Sequence, residues 1–169
     1  MNVNSQQKNI VWWKKLVERA PPAYVVWFAA EKEFFKEHVK KNAEVLEVGC
    51  GDGRSLRDLS SITTNLTGID NDSRALADAR KTLQNYSAIR LLFAEGEHLP
   101  FPSESFDVIT CIGTFSNFAR KKYKILAEMK RVLRKDGCII ISAYSEKAFE
   151  ERMKMYKSIA GDSIVQVRD

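Results

Sequence analysis

Apolar and polar residues are spaced in two ways along this chain. Before residue 44 the apolar residues recur at helical spacing, which predicts an amphipathic helix over residues 5–19 and an aromatic-rich helix over residues 23–38, separated by Pro21 and Pro22. From residue 44 onward, short apolar runs alternate with helical patterns. The apolar runs predict strands over residues 45–48, 65–70, 89–93, 107–112, 138–142 and 163–167. The alternation predicts an α/β fold with an open, mostly parallel, doubly wound sheet and helices on both faces.

The helical patterns between these strands cover residues 54–59, 74–84, 119–134 and 146–160, and residues 135–137 predict a turn. A chain of 169 residues with this alternation predicts a single domain. Within it, residues 1–42 form a helical lid or cap segment and residues 43–169 form the α/β part. One further strand, over residues 163–167, is predicted after residue 161.

Three glycines follow the first predicted strand at alternate positions, in the sequence E-V-L-E-V-G-C-G-D-G. Gly49, Gly51 and Gly53 let the chain turn sharply and let a ligand approach the backbone without meeting a Cβ atom. A strand, a glycine loop and a helix start together predict a cradle for a nucleotide or cofactor. The spacing is neither G-x-G-x-x-G nor a phosphate-binding G-x-x-x-x-G-K, and a tight turn without a ligand stays open as an alternative.

An acidic residue also ends the second predicted strand. Asp70 lies 17 positions after Gly53, near the place where nucleotide-binding folds carry a carboxylate for the ribose hydroxyls. A carboxylate suits a vicinal diol because its two oxygens accept two hydrogen bonds. The alternative is that this acid begins the next helix, although Asp72 or Ser73 fits the N-cap position better.

The glycine loop resembles motif I of the class I S-adenosylmethionine-dependent methyltransferases. Two later segments are also similar to that family: E-G-E-H-L-P-F at residues 95–101, before Phe106 and Asp107, and V-L-R-K-D-G-C at residues 132–138. The resemblance covers residues 43–142 and implies S-adenosylmethionine as the cofactor. It places the glycines at the methionine portion, Asp70 at the ribose, Glu95 and Gly96 at the adenine, and Glu47 at the loop or the methionine amino group. The implied cofactor-binding residues are Glu47, Gly49, Cys50, Gly51, Gly53, Asp70, Asn71, Glu95, Gly96, Glu97 and Ile112.

The implied activity is displacement of the sulfonium-activated methyl group by an acceptor. Such a reaction needs mainly alignment of donor and acceptor, so no catalytic acid or base is assigned, and His98 is expected on a turn surface or beside the adenine. Residues expected to line the acceptor pocket are Tyr24, Phe115, Ser116 and Asn117. Trp12, Trp13 or Tyr24 close over the cofactor if the first helices form a lid; alternatively these helices only cover the sheet. The family's [DN]-P-P-[YF] tetrapeptide for nucleobase and glutamine-amide acceptors is absent.

Composition narrows the partners only a little. The content of 44% hydrophobic and 29% charged residues is ordinary for a globular protein, and no apolar run approaches the ~20 residues of a membrane span. The amino terminus lacks a secretory pattern, so a cytoplasmic location is expected. Cys50, Cys111 and Cys138 are predicted to be small buried residues, and no metal site is predicted.

A small-molecule acceptor is the first expectation. The formal net charge of +5 and the cluster of basic residues at 120–124 leave a tRNA or protein methyltransferase open, although a solvated helix start explains the cluster better. A cofactor-binding module that needs a partner subunit is a further alternative, and a nicotinamide-dependent oxidoreductase is disfavoured by the glycine spacing. The resembled family normally closes its sheet with two strands after residue 161, and this chain has room for one, so the resemblance implies an incomplete carboxyl-terminal part of the sheet, as in a truncated or minimal member. The oligomeric state is open, because an incomplete sheet can pair its edge with a second copy.

Overall fold

The computed structural model describes residues 22–142, with side chains from Tyr24 onward. In chain order the elements are α1 (Pro22–His38), β1 (Val45–Val48), α2 (Arg54–Leu59), β2 (Leu66–Asp70), α3 (Ser73–Thr82), β3 (Arg90–Phe93), β4 (Phe106–Ile112), a 3-10 helix (Phe115–Lys121), α4 (Lys122–Val132) and β5 (Leu133–Ser142). The helices predicted over residues 5–19 and 146–160 and the strand predicted over 163–167 lie outside the described residues. None of the described helices is both long and apolar enough to cross a membrane.

The chain divides into two compact units, one formed by residues 1–29 and 144–169 and the other by residues 30–143. In the first unit, Tyr24, Trp27 and Phe28 form an aromatic cluster on α1, with ring centroids 5.2–5.8 Å apart. The second unit contains the whole described sheet. The predicted division after residue 42 stays a prediction.

The sheet of the second unit has five parallel strands in the order β3-β2-β1-β4-β5. β1 lies at its centre, and all four of its residues are buried, as expected for an apolar run covered on both faces. The chain leaves β1 for β2 and β3 on one side and for β4 and β5 on the other. The change of direction therefore falls between β1 and β4, where open α/β sheets bind their ligands. The predicted fold class is confirmed.

Two apolar cores form on opposite faces of this sheet. One contains Val45, Leu66 and Val108 of the sheet with residues of α1, α2 and α3. The other contains Leu46, Ile69 and Ile109 with residues of α4 and of the segment before β4. Successive strand residues point to opposite faces, so each apolar run supplies both cores.

The sequence predicted a turn at residues 135–137 between a helix and a strand, and this prediction is wrong, because these residues lie within β5. β5 starts directly after α4, and its register with β4 jumps from Phe106↔Leu133 to Val108↔Cys138, so residues 134–137 bulge out of the ladder. A Cβ on Gly137 would lie 2.6 Å from the Asp107 carbonyl oxygen, which explains the glycine at this place.

Two further predictions need correction. The helix predicted over residues 119–134 begins at Lys122, because Ala119 has φ 46° and ψ −125° and breaks the helix from the preceding 3-10 turn. Cys50 and Cys111 are buried as predicted, but Cys138 is exposed. It lies on β5, which has only β4 as a strand neighbour among the described residues.

Candidate functional site

The loop after β1 takes a left-handed backbone conformation at each of its three glycines, with φ of 76° at Gly49, 54° at Gly51 and 80° at Gly53. A Cβ on Gly49 would lie 2.5 Å from the Thr114 side chain, and one on Gly53 would lie 2.8 Å from Leu83. A Cβ on Gly51 would meet no protein atom within 4 Å. Gly49 and Gly53 are therefore required by packing inside the protein, whereas Gly51 leaves an open space beside the loop.

The backbone amides of this loop hold it against the end of β2. The Gly49 and Cys50 amides both donate to the Ile69 carbonyl oxygen at 2.9 Å, and the Gly51 amide donates to Asp70 Oδ2 at 2.9 Å. The Cys50 thiol is buried in the core, where desolvation raises its pKa well above the ordinary value. The amides of Gly49, Cys50 and Gly51 therefore already have protein acceptors. The loop can contribute room for a ligand, but these three amides are not free to donate to one.

Asp70 connects the glycine loop to the start of α3. Its Oδ2 accepts from Gly51 and its Oδ1 accepts from the Asp72 amide at 2.9 Å, while Asp72 caps α3 by accepting from the Arg74 amide at 2.8 Å. Burial raises the pKa of Asp70, and hydrogen bonds from the backbone amides of Asp72, Gly51 and Asn71 oppose that rise. Asp72 is the N-cap, as expected. The Asp70 carboxylate keeps acceptor capacity for a ligand, because each of its two oxygens accepts two hydrogen bonds.

Glu47 lies inside β1 rather than at the point where the strand emerges. It is 1% exposed, and its Oε1 accepts a hydrogen bond from the Ser55 hydroxyl on α2. Its Oε2 is buried with no hydrogen-bond partner among the described residues. Desolvation by burial raises its pKa to about 8. A carboxyl group in this place is protonated at neutral pH, unless a cation comes close to it.

A buried ion pair follows the glycine loop directly. Arg54 Nη2 lies 2.8 Å from Glu31 Oε2 on α1, and Arg54 Nη1 lies 3.5 Å from Asp58 Oδ2. The Glu31 and Arg54 side chains are 8% and 9% exposed. Sequence reasoning missed this pair and the Glu47–Ser55 contact. The one sequence signal for the ion pair is Arg54 itself, a charged residue at the start of a helix whose neighbouring residues are otherwise buried.

The segment after β3 carries the residues predicted to face the adenine. Glu95 is exposed, and its Oε2 accepts from Asn71 Nδ2 at 3.1 Å, so two of the predicted cofactor-binding side chains contact each other. Gly96 lies close to α4, where a Cβ would be 3.3 Å from Ile125. Glu97 forms an ion pair with Lys121, which lowers the pKa of Glu97.

The segment after β4 contains the predicted acceptor residues. Ser116 and Asn117 are exposed on the 3-10 helix, and Phe115 packs edge-on against Phe118. The Ile112 side chain is buried in the core.

Thr114, another residue that sequence reasoning missed, joins this segment to the glycine loop. Its hydroxyl lies 3.1 Å from the Gly49 carbonyl oxygen and donates to it. Because Gly49 has no Cβ, the Thr114 side chain can pack directly against the glycine loop.

The carboxyl ends of four parallel strands thus bring most of the predicted residues to one edge of the sheet: Gly49, Gly51 and Gly53 after β1, Asp70 and Asn71 after β2, Glu95–Glu97 after β3, and Phe115–Asn117 after β4. Tyr24 lies in the first unit, and its predicted place in the acceptor pocket stays a prediction. Among the described residues, no group of three or more His, Cys, Asp or Glu side chains could hold a metal ion.

Comparison with known proteins gives one consistent result. The sequence profile of the methyltransferase domain family matches residues 46–141, more than half of the chain. An uncharacterised protein of Methanocaldococcus jannaschii is 32% identical over 126 residues, which are 75% of this chain and 56% of that protein. A demethylmenaquinone methyltransferase of Tropheryma whipplei is 33% identical over 107 residues, which are 63% of this chain and 44% of that protein.

A solved structure of a SAM-dependent methyltransferase from Aquifex aeolicus has the same fold, with a TM-score of 0.65 and 21% identity over 92% of this chain and 91% of that one. The chain spans about half the length of the two curated relatives described above. The matched residues include the glycine loop, Asp70, the Glu95 segment and the loop after β4. The chain therefore belongs to the methyltransferase domain family, with the class I, Rossmann-like fold and with S-adenosylmethionine as the cofactor of that family.

Proposed function

We propose that this protein transfers the methyl group of S-adenosylmethionine to a small-molecule acceptor. The observation that carries the proposal is the open face of Gly51, whose left-handed backbone no packing contact requires. A non-glycine residue in this conformation costs about 1–2 kcal/mol. A glycine that leaves empty space at the ligand-binding edge of the sheet favours close approach by a ligand.

The residues around this space fit the proposed cofactor. Asp70 is fixed by two backbone hydrogen bonds and keeps acceptor capacity for the ribose hydroxyls. Asn71 and Glu95, which meet at 3.1 Å, supply an amide and a carboxylate for the adenine edge. The Oε2 of Glu47, which has no hydrogen-bond partner among the described residues, suits the positively charged methionine end. S-adenosylmethionine supplies a methyl group already activated by its sulfonium.

The remaining task of the chain is to hold the acceptor in line with that methyl group. Phe115, Ser116 and Asn117 are candidates for this role, because Thr114 ties their segment to the glycine loop. No general base is assigned to them. Alignment of two bound reactants alone can lower a barrier by ~7–11 kcal/mol, so the proposal does not require one.

Two observations favour a small acceptor over a nucleic acid. Lys121 and Lys124, two of the four cations in the basic cluster, already contact Glu97 and His98. The relative from Tropheryma whipplei is named as a demethylmenaquinone methyltransferase, and demethylmenaquinone is neither a nucleic acid nor a protein. Both the acceptor and the cytoplasmic location remain proposals.

The test is transfer of a labelled methyl group from S-adenosylmethionine. The purified protein is incubated with reduced demethylmenaquinone, simpler hydroquinones and phenols, bulk tRNA and a protein extract. We expect label in a low-molecular-weight product, and at least ~10-fold less of it with Asp70→Asn, because the amide replaces one acceptor by a donor. Asp78→Asn, a change at a partly exposed carboxylate on α3, is the matched control and should retain activity.

Label found only in tRNA or in protein would contradict the small-molecule proposal. A chain that binds the cofactor but turns over only when a cell fraction supplies a partner would instead favour the cofactor-binding module considered from the sequence.

A further inference from the structure

A polar stripe runs along one face of the last described helix. Lys121, Lys124, Glu128 and Arg131 are spaced by three, four and three residues, which places them on one side of α4 and of the turn before it. None of the four is among the predicted cofactor-binding residues. Their side chains contact the irregular segment after β3, residues 95–101, which contains three of those residues and which we call the 95–101 loop.

The stripe contacts this loop almost residue by residue. At the start of the stripe, Lys121 forms an ion pair with Glu97, and Lys124 Nζ lies 3.0 Å from His98 Nε2. Further along, Glu128 Oε2 accepts from the Leu99 amide at 2.8 Å. Arg131 donates to the carbonyl oxygens of Leu99 at 3.0 Å and Phe101 at 2.8 Å. Connecting segments are usually more mobile than the helices and strands that they join. Here a helix holds the backbone of the loop in a fixed register.

Glu128 and Arg131 form the strongest part of this arrangement. Arg131 donates to both carboxylate oxygens of Glu128, at 2.7 and 2.8 Å, in the bidentate geometry that makes charge-assisted hydrogen bonds strong. These hydrogen bonds lower the pKa of Glu128 to about 2, so the pair stays ionised throughout the physiological range. Together the two side chains bind both polar backbone atoms of Leu99.

Leu99, which Glu128 and Arg131 bind, is connected to Glu95 through one turn. The His98 amide donates to the Glu95 carbonyl oxygen at 3.0 Å and closes this turn. A Cβ on Gly96 would lie 3.3 Å from Ile125 of the same helix, so the loop backbone packs closely against α4. The position of the Glu95 carboxylate beside Asn71 therefore depends on α4 side chains that contact the loop at other residues.

We propose that Glu128 and Arg131 are positioning residues that place the Glu95 carboxylate for recognition of the adenine amino group, and so determine selectivity for the adenine base. The inference rests on the proposed function, since it assigns Glu95 to the cofactor. It predicts that a substitution in the Glu128–Arg131 pair changes the preference between bases, in addition to any change in the affinity for both ligands.

The test compares two ligands that differ at one position of the base. S-adenosylhomocysteine has a 6-amino donor, and S-inosylhomocysteine has an oxygen there that repels a carboxylate. We expect the parent to prefer the adenine ligand by ~30-fold in Kd, the effect of one charge-assisted hydrogen bond. Arg131→Gln should reduce this ratio to less than ~5-fold, and Arg131→Lys, which keeps the charge but donates from a single nitrogen and loses the bidentate geometry, should give an intermediate ratio.

Arg134→Gln is the matched control. Arg134 lies just after the end of α4, in the bulge of β5, where it pairs with Asp107 at 2.7 Å and donates to the Glu104 carbonyl oxygen, so its loss removes an ion pair and a backbone contact outside the 95–101 loop. The selectivity ratio of this variant should equal that of the parent. A general loss of stability would weaken both ligands equally and leave every ratio unchanged.

An unchanged ratio in both Arg131 variants, or an equal fall in Arg134→Gln, would overturn the inference while the proposed function stands. A folded parent that binds S-adenosylhomocysteine without preferring it to the inosine ligand would overturn it as well. A parent that binds neither ligand would overturn the proposed function and this inference with it. If Arg131→Gln does not fold, the ratio for Arg131→Lys decides.

Discussion

Replacing Glu47 with glutamine is expected to leave stability at pH 5 nearly unchanged and to make the protein more stable than the parent at pH 8. Burial raises the pKa of Glu47 to about 8 from an ordinary value of 4.5. Between these two values the folded chain keeps a proton that the unfolded chain has released. The parent therefore loses stability as the pH rises, by at most ~1.4 kcal/mol per pH unit from this group. A glutamine cannot ionise, and its amide oxygen can still accept from Ser55.

The measurement is urea unfolding of both proteins at pH 5, 6.5 and 8. The free-energy difference in favour of Glu47→Gln should grow by roughly 3 kcal/mol over this range. Glu37→Gln, which removes an exposed carboxylate from α1, is the control and should follow the parent at each pH. Parallel curves for the parent and Glu47→Gln would show that Glu47 is ionised in the folded protein, which contradicts the account of its burial.

Replacing Glu31 with leucine is expected to destabilise the protein by ~3 kcal/mol, the usual loss when one partner of a buried ion pair is removed. Arg54 cannot shed its charge, so its guanidinium would stay buried with Asp58 as the remaining described carboxylate, 3.5 Å away. Because Arg54 directly follows Gly53, we expect the glycine loop to loosen as well. Chemical denaturation at pH 7 gives the free energy of unfolding.

Two variants separate this effect from the loss of any ion pair. Glu33→Leu breaks an exposed pair with Lys36 on the same helix and should change stability by less than ~1 kcal/mol. The double variant Glu31→Leu with Arg54→Met should recover much of the loss, since apolar residues often replace buried ion pairs without penalty. A double variant less stable than Glu31→Leu would mean that Arg54 is held mainly by its other contacts.

The sequence was sufficient for the features that depend on local pattern. Short apolar runs predicted the strands, most directly β1, β2 and β4, which the sheet buries on both faces. The cap of α3 was narrowed to Asp72 or Ser73 from sequence, and the structure has Asp72 as the N-cap. The meeting of the glycine loop, Asp70 and the Glu95 segment at one edge followed from the parallel order of the strands.

Contacts between distant residues were not predictable in this way. Glu31 and Arg54 are 23 positions apart, and only the packing of α1 on α2 brings them together. Thr114 reaches Gly49 across 65 positions because β1 and β4 are neighbours. Glycine spacing alone could not separate Gly51, which faces open space, from Gly49 and Gly53, which other side chains exclude from carrying a Cβ.

The central claim is that the open face of Gly51 receives S-adenosylmethionine. It is tested most directly by calorimetric titration of S-adenosylhomocysteine, which cannot react, into the parent and Gly51→Ala. We expect saturable binding to the parent and at least ~10-fold weaker binding to the variant, whose new methyl group touches no protein atom and should cost only ~1–2 kcal/mol of stability. A folded parent that gives no heat, or a Gly51→Ala variant that binds as the parent does, would contradict the account.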